Sequence, residues 1–395
     1  KLKNIEKLSI ETKCVHAGLK ENPEGAVVTP IYQTSTFKFD NADQGAALFK
    51  GEKDGYIYTR MRNPTVEAME DAVAVLEGGA KALGCSSGMA AVNLLFTATL
   101  SAGDHMICSE SVYGPTSTIL KTIFERYNVE YDFVDTSDLD AVKAAVKDNT
   151  KLIYVETPGN PTLVMSDIEE IAKIAHENGA KMAVDNTFMS PVLQKPFEKG
   201  ADYILHSMTK YLNGHADVVA GIVIVKDESE YMHFRKTLNH LGGVIDPFNS
   251  FLVHRGLKTL KLRVMKQCEN AREVAEWLEK QPAVDHVFFP GLESHPQYEI
   301  GKKQMDACGS MIAFELKGGI EAGKKMMDNV EICQLAVSLG GVESLIQHPA
   351  SMTHAGMGPE DRKNAGITDG LVRVSVGIEN VQDLINGLDK GLKAI

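Results

Sequence analysis

The chain has no hydrophobic run long enough to cross a bilayer: stretches such as Ile222-Val223-Ile224-Val225 fall far below the roughly 20 apolar residues a membrane helix needs. It is also poor in positive charge, with 41 Lys and Arg against 53 Asp and Glu, a formal charge of −12. That balance argues against nucleic acid as a main partner, because phosphate backbones demand clustered basic residues. Cysteine is sparse, at positions 14, 85, 108, 268, 308 and 333, without a C-x-x-C pair or a usual zinc-ligand spacing to histidine. A disulfide framework and a metal site are therefore not expected, and the thiols read as small, mostly buried, reduced residues. Residues 1–12 are polar, mixed in charge and without the apolar core of a signal peptide, which leads to the expectation of a cytoplasmic protein. Internal repeats, low-complexity segments and long linkers are absent from the sequence.

What is there is ordinary globular material, 44% hydrophobic and 24% charged, in 395 residues, more than one core usually serves. Between residues 63 and 225 short apolar strands alternate with helical patterns. Asn63-Pro64 reads as a cap with proline at the first helical position, and Gly78-Gly79 closes that helix. Strands are predicted near 80–84, 105–108, 129–134, 152–155, 181–184, 202–205 and 221–225. Helices are predicted near 88–100, 115–127 and 138–147, with a Ser166/Glu169 capping box before the Ile168-Ile171-Ile174 stripe. This alternation predicts an α/β fold with a mostly parallel sheet covered on both faces. After residue 249 a long helical segment, with room for a kink, is expected to end at Pro282. Strands near 284–289, 311–316, 332–337 and 371–376 then predict a smaller α+β unit. The division is 1–62 as an arm with little regular pattern, 63–250 as the large domain and 251–395 as the C-terminal domain.

Sites in such sheets form at the carboxyl ends of strands. Glu156, Asp185 and the run Ser207-Met208-Thr209-Lys210 all follow directly on predicted strands and could converge. A strand-end lysine beside two hydroxyls, with a strand-end aspartate, supplies the parts needed to hold pyridoxal phosphate: a Schiff-base amine, a partner for the pyridinium nitrogen and donors to the phosphate. Taken singly, Lys210 is also compatible with a surface loop and Asp185 with a helix cap or an ion pair. Gly84-Cys85-Ser86-Ser87-Gly88 fits the nucleophile elbow of a serine hydrolase. It equally fits a small-residue turn whose Gly88 and Met89 amides point at an anion. Tyr113 opens a helix and could stack on a flat ring or belong to the core. Arg373, inside the apolar strand Leu371-Val372-Arg373-Val374-Ser375, should meet a carboxylate, either internal or that of an amino-acid substrate. Tyr58-Thr59-Arg60 reads as exposed loop.

Together with Thr29-Pro30-Ile31-Tyr32-Gln33-Thr34, Glu156-Thr157-Pro158-Gly159-Asn160-Pro161, Val184-Asp185-Asn186-Thr187-Phe188, Gly214-His215-Ala216-Asp217 and His348-Pro349-Ala350-Ser351-Met352-Thr353-His354, these stretches make the chain resemble, nearly end to end, the Cys/Met-metabolism enzymes of the aspartate-aminotransferase-like, fold-type I pyridoxal-phosphate superfamily. The resemblance implies a cofactor of pyridoxal 5'-phosphate, with Lys210 as its covalent anchor and proton shuttle, Asp185 on the ring nitrogen and Tyr113 stacked on the ring as acid/base. It implies phosphate positions at Ser87, Gly88, Met89, Ser207 and Thr209. Tyr58 and Arg60 would reach a neighbouring subunit's phosphate, in a homotetramer built from active-site-sharing dimers. It further implies substrate contacts at Asn160, Ser338 and Arg373. Leu335-Ala336-Val337-Ser338-Leu339-Gly340 is most similar to methionine γ-lyases, where an apolar Val337 suits an uncharged thioether. The alternatives are a cystathionine γ-lyase or γ-synthase, or an O-acylhomoserine sulfhydrylase. The chain departs from methionine γ-lyases at Pro115, at Asn239-His240 and in Gly340-Gly341-Val342-Glu343-Ser344-Leu345, the last similar to the cystathionine enzymes.

Overall fold

The protein is seen in a computed structural model that describes residues 4–356, 358, 360, 362 and 366–395. Two short helices, α1 (Ile10–His16) and α2 (Ala42–Lys50), lie where little regular pattern was predicted. At 7 and 9 residues they are too short for an apolar period to show, and α1 is held by packing Cys14 into the core. Close approach fixes the turn that follows, because a Cβ on Gly18, at φ +75°, would lie 1.9 Å from the Ala68 carbonyl oxygen.

From here the local signals work as read. Asn63 Oδ1 accepts the Thr65 N–H at 2.9 Å, Pro64 occupies the first position of α3 (Pro64–Glu77), and Gly78 ends it at φ 78°. The chain continues through β1 (Lys81–Cys85), α4 (Gly88–Thr99), β2 (His105–Ser109) and α5 (Gly114–Ile119), with further helical turns to Tyr127. Next come β3 (Glu130–Val134), α6 (Leu139–Ala145), β4 (Thr150–Glu156), α7 (Ile168–Glu177) and β5 (Lys181–Asp185). The single-turn α8 (Ser190–Leu193), β6 (Tyr203–Ser207) and β7 (Gly221–Val225) complete the series. The cap of α7 is Asp167, which accepts from the Glu170 N–H, rather than Ser166. Ser166 is buried and its hydroxyl bonds Thr136 Oγ1 at 2.7 Å instead.

The seven strands form one sheet in the order β1-β7-β6-β5-β4-β2-β3, antiparallel only where β7 pairs β1 and β6. Successive residues of β5 serve opposite faces: Met182 and Val184 join the core under α3 and α7, and Ala183 joins the core under α4. Helices on both faces bury the central strands, which is why β4 to β7 read as nearly continuous apolar runs, whereas the edge strand β3 is partly exposed and alternates polar with apolar residues.

Beyond the sheet run α9 (Glu228–Leu241), α10 (Pro247–Leu257) and α11 (Leu260–Leu278). Val253, Leu257, Leu260 and Val264 pack into the large-sheet core, whereas Ala271, Val274 and Leu278 pack into a second one. That second core lies on β8 (Val284–Phe288), β9 (Met311–Leu316), β10 (Gln334–Leu335), β11 (Leu345–Gln347) and β12 (Leu371–Ser375), ordered β10-β11-β12-β9-β8. The helices α12 (Tyr298–Gln304), α13 (Gly319–Asn329) and Val381–Lys393 complete this part. The strand predicted over 332–337 shrinks to two residues because Ile332 and Ser338, at φ 69° and 95°, turn the chain out of extended geometry. All six cysteines are buried and free. Among the described residues, no helix is long and apolar enough to cross a membrane.

Candidate active site at the strand ends

Glu156, Asp185 and Ser207 are the last residues of β4, β5 and β6, three neighbouring parallel strands. Asp185 is 8% exposed. Its Oδ1 accepts from the Thr187 N–H at 3.0 Å and hydroxyl at 2.5 Å, and its Oδ2 accepts from the Tyr154 hydroxyl at 3.2 Å. Burial pushes the Asp185 carboxyl up, opposed by the Thr187 donors and by nearby His206. Thr187 Oγ1 also accepts the Ser207 N–H at 2.9 Å, which ties the ends of β5 and β6 together. The sequence singled out Asp185 and Ser207. Thr187 and Tyr154 as the supports of Asp185 went unassigned, although a Val-Asp-Asn-Thr run at a strand end is the signal of an aspartate bonded two residues on.

Beside them the turn after β1 enters α4. Ser87 Oγ caps the helix at the Ala90 N–H, 3.0 Å away, so the Gly88 and Met89 amides fall in the first turn, where no intrahelical carbonyl meets them. The backbone here runs against the β6–β7 end. A Cβ on Gly88 would meet Ser207 Cβ at 3.0 Å, and one on Gly221 would meet the Ser87 carbonyl at 2.1 Å. Ser86 and Ser87 thus belong to a helix-opening turn whose amides can receive an anion. Thr209, two residues past β6, exchanges hydrogen bonds with the Ala220 backbone through its hydroxyl, at 3.0 and 3.2 Å.

Lys210 Nζ donates to Ser338 Oγ at 2.7 Å. Burial, and next the Arg373 charge, bring the amine down to about 8. Ser338 is a non-glycine residue at φ 95°, a strained conformation of the kind that collects at functional sites. Arg373 Nη1 donates to Asn160 Oδ1 at 2.8 Å and Nη2 to the Ser338 carbonyl at 3.0 Å, and burial brings the guanidinium down to about 10. The carboxylate expected beside Arg373 is not its bonded partner: among the described residues it makes no ion pair, and both acceptors are neutral oxygens. Lys210, Ser338, Arg373 and Asn160 are therefore one cluster, with Val337 at its edge, 56% exposed.

Tyr113 is no core residue. Its ring is 51% exposed, at the N-cap of α5, and its backbone N–H donates to Glu156 Oε2 at 2.7 Å. Tyr58 and Arg60 stand apart from the cluster. Arg60 lies over the Tyr58 ring, 5.7 Å from its centroid, and donates to the Asn239 carbonyl at the end of α9. Among the described residues, neither bonds the Lys210 or Ser207 groups. Taken together, the site offers a nucleophilic amine, a carboxylate held by three donors, an anion-receiving helix turn, an exposed aromatic ring and an unneutralised guanidinium. These parts fit pyridoxal phosphate and an amino acid.

Comparison with known proteins agrees. The chain matches the family model described as Cys/Met metabolism PLP-dependent enzyme over residues 11–393. It is 49% identical over 393 residues to the L-methionine gamma-lyase of Fusobacterium nucleatum, covering 99% of this chain and 100% of that one. It is 46% identical over 386 residues to a cystathionine beta-lyase of Lactococcus lactis, covering 98% and 99%. The crystal structure of metB from Corynebacterium glutamicum superposes with a TM-score of 0.93 at 42% identity, over 99% of both chains. With the family model spanning nearly the whole chain and relatives close to half identical, the hydrolase alternative falls away, and the chain belongs to the Cys/Met-metabolism pyridoxal-phosphate-dependent enzymes.

Proposed function

We propose that this enzyme eliminates the γ-substituent of sulfur amino acids, with L-methionine as its main substrate, giving methanethiol, 2-oxobutanoate and ammonia with uptake of one water. The observation that carries the choice is Val337, an apolar, half-exposed side chain directly beside the Ser338–Lys210–Arg373 cluster. An uncharged thioether can lie against it. A distal ammonium such as that of cystathionine gains no counter-charge from this side chain. The naming of several close relatives as L-methionine gamma-lyase supports the same reading.

In this reading Lys210 would hold the cofactor, Asp185 would pair with its ring nitrogen, and Tyr113 would cover the ring. Ser87, Gly88, Met89, Ser207 and Thr209 would take its phosphate. When bound, the cofactor supplies an electron sink conjugated to the substrate α-carbon. Arg373, whose bonded partners are both neutral, receives the substrate carboxylate bidentately, with Asn160 and Ser338 fixing the guanidinium plane. That clamp sets the angle of the α-carbon bonds to the site. Lys210 Nζ, at about 8, both takes and gives a proton near neutral pH, as movement of protons between α- and β-carbons requires. Tyr113 Oη gives a proton to the departing sulfur. Arg60 engages Asn239 and covers the Tyr58 ring, and neither bonds their own chain's cluster among the described residues, which supports their service to a neighbouring subunit in a homotetramer of paired dimers.

The test is to give methionine and then cystathionine to the purified holoenzyme and follow thiol and 2-oxobutanoate. Methanethiol and 2-oxobutanoate in equal amounts from methionine support the proposal. Turnover of cystathionine alone, with 2-oxobutanoate as the keto acid, would move the assignment to the runner-up, a cystathionine γ-lyase.

A further inference from the structure

Glu156 has no task in the scheme above, yet it is the most confined carboxyl of the site. It ends β4 at 4% exposure and is the direct register partner of Asp185 on β5, so both side chains leave the sheet on one face. Two carboxylates side by side in a water-poor pocket do not both stay charged. Their hydrogen bonds decide which one ionises. Asp185 accepts from Thr187 N, Thr187 Oγ1 and Tyr154 Oη, a shell suited to a carboxylate. Among the described residues, Glu156 accepts only from Tyr113 N, at Oε2 and 2.7 Å. The other titratable groups around it are Tyr154 on β4, Cys108 on β2, Tyr113 at the start of α5 and Arg373 on β12. Arg373 is the one cation among them, and its guanidinium is bonded to Asn160 and Ser338.

We propose that Glu156 is a positioning residue that acts as a neutral carboxylic acid: it anchors Tyr113 through the backbone amide and leaves Asp185 as the single negative charge facing the cofactor ring. The inference rests on the cofactor reading above and adds a residue to it. Burial, and next the Asp185 charge, push the Glu156 carboxyl well above its ordinary range and outweigh the opposing pull of the Tyr113 N–H and the Arg373 charge. A neutral Glu156 keeps Tyr113 in place without competing for the positive ring nitrogen. An ionised one would add a second charge to that site.

The experiment compares wild type, Glu156→Gln and Glu156→Leu as holoenzymes, measuring kcat, KM and the pH titration of the cofactor's visible absorbance. Glutamine keeps the acceptor and the neutrality; leucine keeps only the bulk. Glu156→Gln should hold kcat within about threefold and its titration should overlay that of wild type, whereas Glu156→Leu should lose at least about tenfold in kcat, with a smaller change in KM. A Glu156→Gln titration displaced to lower pH by about half a unit or more would show that a negative charge had been removed and would overturn the proposal, even if the leucine variant fails to fold. So would a glutamine variant as impaired as the leucine one. A wild-type protein without the absorbance would instead overturn the cofactor reading, and this one with it.

Discussion

The amine of Lys210 and the hydroxyl of Ser338 meet at 2.7 Å although 128 residues separate them, and the Ser338 carbonyl is held in turn by Arg373. The loop that follows β6 of the large sheet and, through Arg373 of β12, the C-terminal sheet meet at the Lys210 amine. The arrangement predicts a pH dependence for cofactor capture. With the amine brought down to about 8, the nucleophilic neutral form grows as pH rises and is complete above that value. The rate at which apoenzyme takes up pyridoxal phosphate should rise with pH and level off near 8 to 9. An ordinary lysine would level off only above about 10. Arg373→Met should move the curve to higher pH, since a neighbouring positive charge is lost, and stopped-flow absorbance would read both. Lys210→Ala should lose turnover by about a thousandfold or more, and borohydride should no longer fix the cofactor to the chain.

Val337 predicts the direction of a specificity change. Replacement by glutamate puts a carboxylate beside Ser338, where a distal ammonium would lie. The ratio of kcat/KM for methionine over cystathionine should fall at least about tenfold, or roughly 1.4 kcal/mol. An unchanged ratio in paired assays would remove Val337 from the argument.

Arg373 holds two acceptors in different directions, Asn160 Oδ1 and the Ser338 carbonyl, a geometry only a planar fork can serve. Arg373→Lys should therefore be far from conservative, with kcat/KM lower by about 10- to 100-fold and KM carrying much of the loss. Steady-state kinetics with methionine measures this.

Stability should depend strongly on a buried ion pair behind the turn that opens α4. Arg235 Nη2 of α9 bonds both carboxylate oxygens of Glu70 of α3, at 2.8 and 2.7 Å, and Glu70 also receives the Gly84 N–H of β1. Both residues are buried. Arg235→Leu leaves an unpaired buried carboxylate and should cost about 3–5 kcal/mol, while the double change Glu70→Leu, Arg235→Leu should recover part of it. Thermal melting of the holoenzyme at fixed protein and cofactor concentration would show both effects.

How far the chain could be read without a structure follows from the range of each signal. Asn63-Pro64, Gly78 and the apolar runs of β2 to β7 act over a few residues, and they fell where read. The placement of Asp185 and Ser207 at neighbouring strand ends, with Lys210 three residues on, was legible because strand ends are local features, and in a parallel sheet those ends face one way. The capping residue of α7 slipped by one, since Ser166 and Asp167 are both competent caps and the burial of Ser166 beside Thr136 selects the second. The strand over 332–337 was over-read because Ile332 and Ser338 take left-handed backbone conformations that their residue types do not signal.

The sequence by itself determined the alternation of strands and helices, the chemical parts list and the resemblance that pointed to the cofactor. All of these depend on which residues follow which. Tertiary structure alone decided that Glu156 stands beside Asp185, that Arg373 meets the neutral oxygens of Asn160 and Ser338, and that Arg60 turns to Asn239. Those relations join residues up to 213 positions apart. Burial in a shared pocket sets which of them carry charge, and burial is a property of the fold that no short stretch of chain contains.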